Sequence, residues 1–185
     1  MAGIMTILRD HVTIRPLTLV ESLRTAELQA LALLKFSGIA EPPVPVSVIT
    51  QIERMQVEYV SLGTISGAAQ WVSGRWLILV NRKDVRGRQR MTLAHEFKHI
   101  LDNPFISVLY PSYCTLGRHE RQELVCEYFA GCLLMPRAWL EAAWHAGVRD
   151  VRELAARFDV SLLAMRVRLM QIGLLERVAT NETEA

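Results

Sequence analysis

Apolar residues recur every three to four positions through residues 17–36, so the chain is expected to open with an amphipathic helix that stops at Gly38. The run Glu41-Pro42-Pro43-Val44-Pro45 breaks that period, and its prolines make it an extended linker. Ser47 is expected to cap a short helix reaching about Met55, and Gln56–Leu62 then reads as a strand. Ala68–Val72 and Arg75–Asn81 flank Ser73-Gly74, the pattern of a hairpin. Helical spacing returns with Leu93, Ala94, Phe97, Ile100 and Leu101, a helix buried over much of its surface. Thr92 is expected as its cap or in its first turn, and Asn103-Pro104 as its end. Residues 104–117 read as a loop, and Arg118 to Leu134 as a second long helix. Three more helices are expected: Pro136–Ala146 with Gly147 as stop, Asp150–Phe158, and Ser161–Ile172 with Ser161 as N-cap. The last residues, 179–185, read as a frayed tail. The pattern as a whole is α+β, mostly helical with a small three-stranded sheet.

Composition narrows the class. The chain has 185 residues, 51% of them hydrophobic and 22% charged, ample for a core in one domain with at most a small appendage. A net charge of +2 is too mild to imply nucleic acid by itself. Cys114, Cys126 and Cys132 are odd in number and form no CxxC pair, so they read as reduced buried thiols. Arg9 and Asp10 interrupt the early apolar residues, so no signal peptide is read, and no stretch reaches membrane-spanning length. A cytoplasmic protein is the expectation.

The chemistry concentrates in His95-Glu96-Phe97-Lys98-His99. On a helix, His95 and His99 stand one turn apart on one face, close enough to share a metal ion. Glu96 is placed to reach a water bound there, which is the arrangement zinc-dependent hydrolysis needs. Two surface histidines meeting by chance are the plain alternative. The apolar residues around the pentapeptide weigh against it, because a half-buried trio without a metal is costly to desolvate. Zn²⁺ needs a third protein ligand. Glu120, Glu123 and Glu127 fall on one stripe of the helix from Arg118 to Leu134, followed by Ala130 and Gly131, whose small size would permit close approach. The stripe alone does not choose among them.

The lead-in Arg90-Met91-Thr92-Leu93-Ala94 before the His-Glu pentapeptide, then Glu123-Leu124-Val125-Cys126-Glu127-Tyr128-Phe129-Ala130 ending in Leu133-Leu134-Met135-Pro136, resembles the ImmA/IrrE family of metallopeptidases over roughly residues 40–175. Lys98, in place of a small residue, and Cys126, in place of alanine, depart from the family pattern, and Lys98 is expected to add a charge beside the metal. The resemblance implies a zincin-like metallopeptidase with Glu123 as third ligand and Glu127 as an acid supporting the ligands. It divides the chain into an N-terminal helical segment (1–40), a zinc metallopeptidase core (41–147), a helix-turn-helix-like C-terminal pair (148–178) and the tail. It also implies a substrate, a helix-turn-helix transcriptional repressor, often encoded nearby in phage or mobile elements, whose cleavage relieves repression.

Further roles stay open at this level. Glu96 is the expected general base. Tyr110, Tyr113 and His119 are unranked candidates for stabilising the oxyanion. Asp102 is either an acceptor for an imidazole N–H or a surface acid. The strand Trp76–Asn81 is either the edge that pairs with an extended substrate or an interior strand. The basic stretch 82–90 either faces an acidic substrate segment or is a solvated loop. The C-terminal helix pair is conceivable as a DNA reader but is better read as packing on the peptidase or touching its substrate. Against the enzyme stands a zinc-stabilised module that binds a repressor or DNA without cutting. Glu96 favours the enzyme, since a purely structural site has no use for a base.

Overall fold

A computed structural model describes residues 3–111 and 117–176. Along them run α1 (Ile4–Arg9), α2 (Leu19–Phe36), α3 (Ser47–Thr50), β1 (Met55–Val60), β2 (Gly67–Val72), β3 (Arg75–Asn81) and α4 (Arg86–Asp102). A 3-10 turn (Asn103–Phe105) leads to α5 (Ile106–Leu109), then α6 (Arg118–Leu134), α7 (Arg137–His145), α8 (Val151–Phe158) and α9 (Leu162–Gln171). The α+β class and the three-stranded sheet match the sequence pattern. The tail 179–185 and Tyr113 lie outside the described residues.

Local signals explain most boundaries. Thr18 and Glu21 form a reciprocal capping box at the start of α2. Ser161 caps α9, its Oγ accepting the Ala164 N–H at 3.1 Å. Helix α4 ends at Asp102, one residue before Asn103-Pro104. Three expectations need correction, and one element lies outside the pattern. Thr92 sits mid-helix, because α4 begins at Arg86 with Val85 as its N-cap. Ser47 is the first residue of α3 rather than its cap. The expected loop 104–117 carries a 3-10 turn and α5 in its described part. Helix α1 carries no sequence signal: at six residues its period is too short to stand out, and it is held by tertiary contact, the Gln29 side-chain amide donating to the Leu8 carbonyl at 3.0 Å.

In the sheet the order is β1-β3-β2, with β1 parallel and β2 antiparallel to β3. The hairpin turn holds Ser73 and Gly74 both at positive φ, 48° and 81°, as a two-residue hairpin requires. Strand β3 is therefore central, so of the two readings of Trp76–Asn81 the interior strand holds and the edge does not. Asn81 N–H donates to the Ser66 carbonyl at 2.7 Å. Antiparallel alternation then turns the backbone groups of Gly67, Ala69 and Trp71 away from β3, toward the free edge.

One continuous core, from Leu8 to Ile172, joins the layers. Helix α4 packs between the sheet and α6, with Ile78 and Val80 of β3 buried, and α2 packs on α6 and reaches α4 through Gln29 and Lys98. The α8–α9 connection is seated on the first turn of α4. Arg86 Nε lies 2.8 Å and Arg90 Nε 3.4 Å from Asp159 Oδ2. A Cβ on Gly87 would fall 2.6 Å from Ser161 N and 2.7 Å from Val160 C, so only glycine permits this approach. The basic stretch is mostly solvent-exposed, with only Arg90 buried, although Arg82 donates to the Tyr59 carbonyl and Arg88 to Ser66 Oγ at the surface.

Candidate metal centre

Helix α4 places the two imidazoles one turn apart, with their Nε2 atoms 3.0 Å from each other. Helix α6 crosses beside it and supplies Glu123. Its Oε2 is 3.3 Å from His95 Nε2 and its Oε1 is 3.2 Å from His99 Nε2. The three ligand atoms form the metal-competent His/Cys/Asp/Glu group among the described residues, all within 4.8 Å of one another. A tetrahedral ion with ligands at about 2.1 Å separates neighbouring ligand atoms by about 3.4 Å, so this triangle fits one ion.

The electrostatics suit ligation. Burial pushes the His95 pKa below its ordinary value, the neighbouring His99 ring adds to this, and Glu123 opposes it. Burial likewise lowers His99, against the pull of Glu123 and Asp102. Both rings are thereby kept neutral, with a lone pair to offer a metal. Glu96 is raised to about 7, first by burial and then by the charge of Glu123. Its carboxylate faces the same cleft as His95 and Glu123.

Helix geometry separates the three acids. Glu120 belongs to the first turn of α6, where its Oε2 accepts the Gly117 N–H at 3.3 Å. Glu123 meets both imidazoles. Glu127 is exposed and lines the cleft one turn further on. His119 is 85% exposed, with Nδ1 3.6 Å from Glu123 Oε1, so it stands at the rim of the site.

Tyr110, Asp102 and Lys98 are placed elsewhere. Lys98 is fully buried and its Nζ donates to Asp102 Oδ1 at 2.5 Å and to Gln29 Oε1 at 2.8 Å. Tyr110, also fully buried, donates its hydroxyl to Asp102 Oδ2 at 2.5 Å. Burial and the Asp102 carboxylate raise the Tyr110 phenol far above its usual range. The expected oxyanion role for Tyr110 is therefore corrected: its proton is committed to Asp102. Asp102 is not a surface acid, and its described hydrogen bonds go to Lys98 and Tyr110 rather than to an imidazole. The Lys98 charge is neutralised by Asp102 instead of standing free beside the metal. Cys126 and Cys132 are buried free thiols outside the metal group.

A cleft of about 660 Å³ opens onto His95, Glu96 and Glu123. Its margins include Ser66 and Gly67 at the start of β2, and Leu163, Ala164 and Val167 of α9. No sequence signal singled these out. Gly67 is the one with a physical mark: a Cβ there would lie 2.4 Å from Thr92 Cγ2 and 3.2 Å from Glu96 Cγ, so glycine lets the edge strand approach the base.

Comparison with known proteins gives three findings. Residues 51–170 match the family model for the IrrE N-terminal-like domain of the peptidase M78 group. The chain is similar to the radiation response metalloprotease IrrE of Deinococcus deserti, 35% identical over 91 residues, covering 46% of this chain and 32% of that protein. It thus spans about a third of that relative's length. A Mycobacterium tuberculosis transcriptional regulator shares the fold, with a TM-score of 0.61 at 17% identity, covering 78% of this chain and 46% of that one. No described helix is long and apolar enough to cross a membrane.

Proposed function

The chain belongs to the IrrE N-terminal-like family of metallopeptidases, and from that premise we propose that it is a zinc-dependent endopeptidase that cuts a helix-turn-helix repressor in the cytoplasm and so relieves repression. The observation that carries the reading is the His95–His99–Glu123 triangle with Glu96 facing the same cleft. The repressor as substrate class rests on the family resemblance in motif order.

His95, His99 and Glu123 would hold the ion. When bound, zinc supplies Lewis acidity, polarising a carbonyl and easing deprotonation of water. Glu96 accepts the water proton on its carboxylate and returns it to the departing amine nitrogen. The free edge of β2 offers the Gly67 and Ala69 backbone groups to an extended substrate, which gives binding with little sequence demand. His119 is the remaining described candidate for donating to the oxyanion. Glu127 is assigned a supporting role toward the ligands. The seated α8–α9 connection favours a part of the peptidase over an independent DNA reader.

The test uses a repressor encoded beside the gene and two zinc-loaded proteins, wild type and Glu96→Gln. Mass spectrometry should find one new N-terminus with wild type and none with the variant, both proteins retaining about one zinc. A repressor released from its operator by both proteins, uncut, would establish the binding module instead.

A further inference from the structure

Arg168 of α9 stands at the far end of the metal cleft and is 1% exposed. From Glu123 the floor of the cleft runs along α6 through Glu127 to Gly131, about 12 Å of helix rise. There the Arg168 side chain lies against Gly131, its Cδ 3.6 Å from where a Cβ would be. Arg168 Nε donates to the Met135 carbonyl at 3.1 Å, and the guanidinium carbon sits 5.3 Å from the centre of the Tyr128 ring. These two contacts hold the group in place. Nη1 reaches Gln171 Oε1 at 3.4 Å, a long contact to an exposed residue. Nη2 is buried and has no hydrogen-bond partner. The Tyr128 phenol and the Cys132 thiol are close to the guanidinium, but neither takes Nη2.

A guanidinium stays charged at any pH a folded protein meets, so burying it without a carboxylate is costly. Among the described residues no carboxylate forms an ion pair with Arg168, and its one side-chain acceptor is the neutral amide of Gln171. The edge carrying Nη1 and Nη2 has the fork geometry that a carboxylate meets with two parallel hydrogen bonds. Gln171 covers that edge with an uncharged group that is free to turn out into solvent. A carboxylate that displaces it gains both nitrogens and gives the buried charge a counter-charge. Arg168 and Gln171 line the same cavity as His95, Glu96 and Glu123, so a molecule held at the metal has a path to them.

We propose that Arg168, with Gln171 as its placeholder, forms a carboxylate-binding site at the far end of the cleft, which takes a carboxylate of the peptide held at the metal. The site rests on the metallopeptidase reading above and adds to it the charge of the substrate. Two sources carry this chemistry: an acidic side chain next to the cut, and a free chain end two or three residues beyond it. Two to three extended residues, at about 3.5 Å each, span most of the length from the metal ligands to Gly131. Glu127 lies on the floor along the way and opposes an anion there. The attraction therefore comes from direct contact with the guanidinium, not from the general field of the cleft.

The probes are two pairs of succinyl hydroxamates, titrated by calorimetry into the zinc-loaded full chain. In the first pair the side chain is carboxyethyl or its neutral isostere carbamoylethyl, and the far end is an amide. In the second the side chain is hydrogen, and the far end is glycine with a free carboxylate or glycinamide. In at least one pair the acid should bind at least about tenfold more tightly than its amide. An advantage in the first pair assigns the site to an acidic residue, and one in the second assigns it to a chain end. Arg168→Met removes the charge and should abolish the advantage. Gln171→Glu, a change at an exposed position, supplies the carboxylate from the protein itself and should abolish it too. This second variant carries the test if circular dichroism shows that Arg168→Met does not fold. Equal binding of acid and amide in both pairs would overturn the site while leaving the metal centre standing. An advantage that survives Gln171→Glu would place the anion away from Arg168 and overturn the proposal. No zinc-dependent binding by any compound would bring down the metal reading and the carboxylate site with it.

Discussion

Lys98→Met tests the buried cluster behind the metal helix. Lys98 and Asp102 have side chains 1% and 0% exposed, and their charged atoms are 2.5 Å apart. Methionine fills a similar volume but leaves the Asp102 carboxylate in the core with Tyr110 as its remaining described donor. Breaking one side of such a buried pair costs about 3–5 kcal/mol. Against a total stability of about 5–15 kcal/mol, this is a large fraction. At about 2–4 °C per kcal/mol for a chain of this size, the melting temperature should fall by about 10 °C. Lys98→Met combined with Asp102→Asn removes both charges and keeps a carbonyl acceptor for Tyr110, so it should recover at least about 2 kcal/mol of the loss. Urea unfolding is followed by circular dichroism on metal-free protein, because bound metal would add its own stabilisation. A loss below about 1 kcal/mol for Lys98→Met, or strict additivity of the two changes, would refute the account of a mutually dependent pair.

Three further outcomes follow from the site. Glu123→Gln should lower zinc affinity far more than Glu120→Gln, whose residue caps α6, with Glu127→Gln between them; metal titration against a chromophoric chelator ranks the three. In metal-free protein Glu96 keeps its proton up to about pH 7, whereas the unfolded chain releases it near the ordinary value of 4.5. Between these limits the unfolded state binds fewer protons, so stability should fall as pH rises, by about 1–2 kcal/mol after allowance for partial exposure; a pH series of unfolding curves that is no flatter in Glu96→Gln would contradict this. Gly67→Ala should cost about 1–3 kcal/mol and lower activity with zinc content unchanged, because its Cβ collides with Thr92 and crowds Glu96; atomic absorption beside an activity assay separates the two effects.

Strong periods were readable. Helix α6 spans the residues its sequence pattern marks, Arg118 to Leu134, and the Ser73-Gly74 turn announces the β2–β3 hairpin. The pentapeptide put both histidines on one face, and the structure brings Glu123 to them. What stayed hidden depends on contacts distant in sequence. Nothing in residues 75–81 says that β1 will pair on the other side of β3 and close its edge. Lys98 and Asp102 look like a surface i,i+4 pair until α2 supplies Gln29 and the fold covers them. The cleft-facing side of α9 is ordinary amphipathic helix in sequence, and only the seating of its N-terminus on α4 turns that side toward the metal.

The seat at Gly87 also separates two kinds of inheritance. It is made from the Val160 and Ser161 backbone and the Asp159 carboxylate, and it uses none of the side chains that α9 presents to the cleft. Position and lining are therefore specified by different residues. Exchanging Leu163, Ala164 or Val167 changes the lining of the cleft and leaves the seat on α4 untouched. A change at Gly87 or Asp159 has no such latitude, because it moves wall and metal helix relative to each other. The molecule thus separates the residues that line the cleft from those that fix its wall against the metal helix.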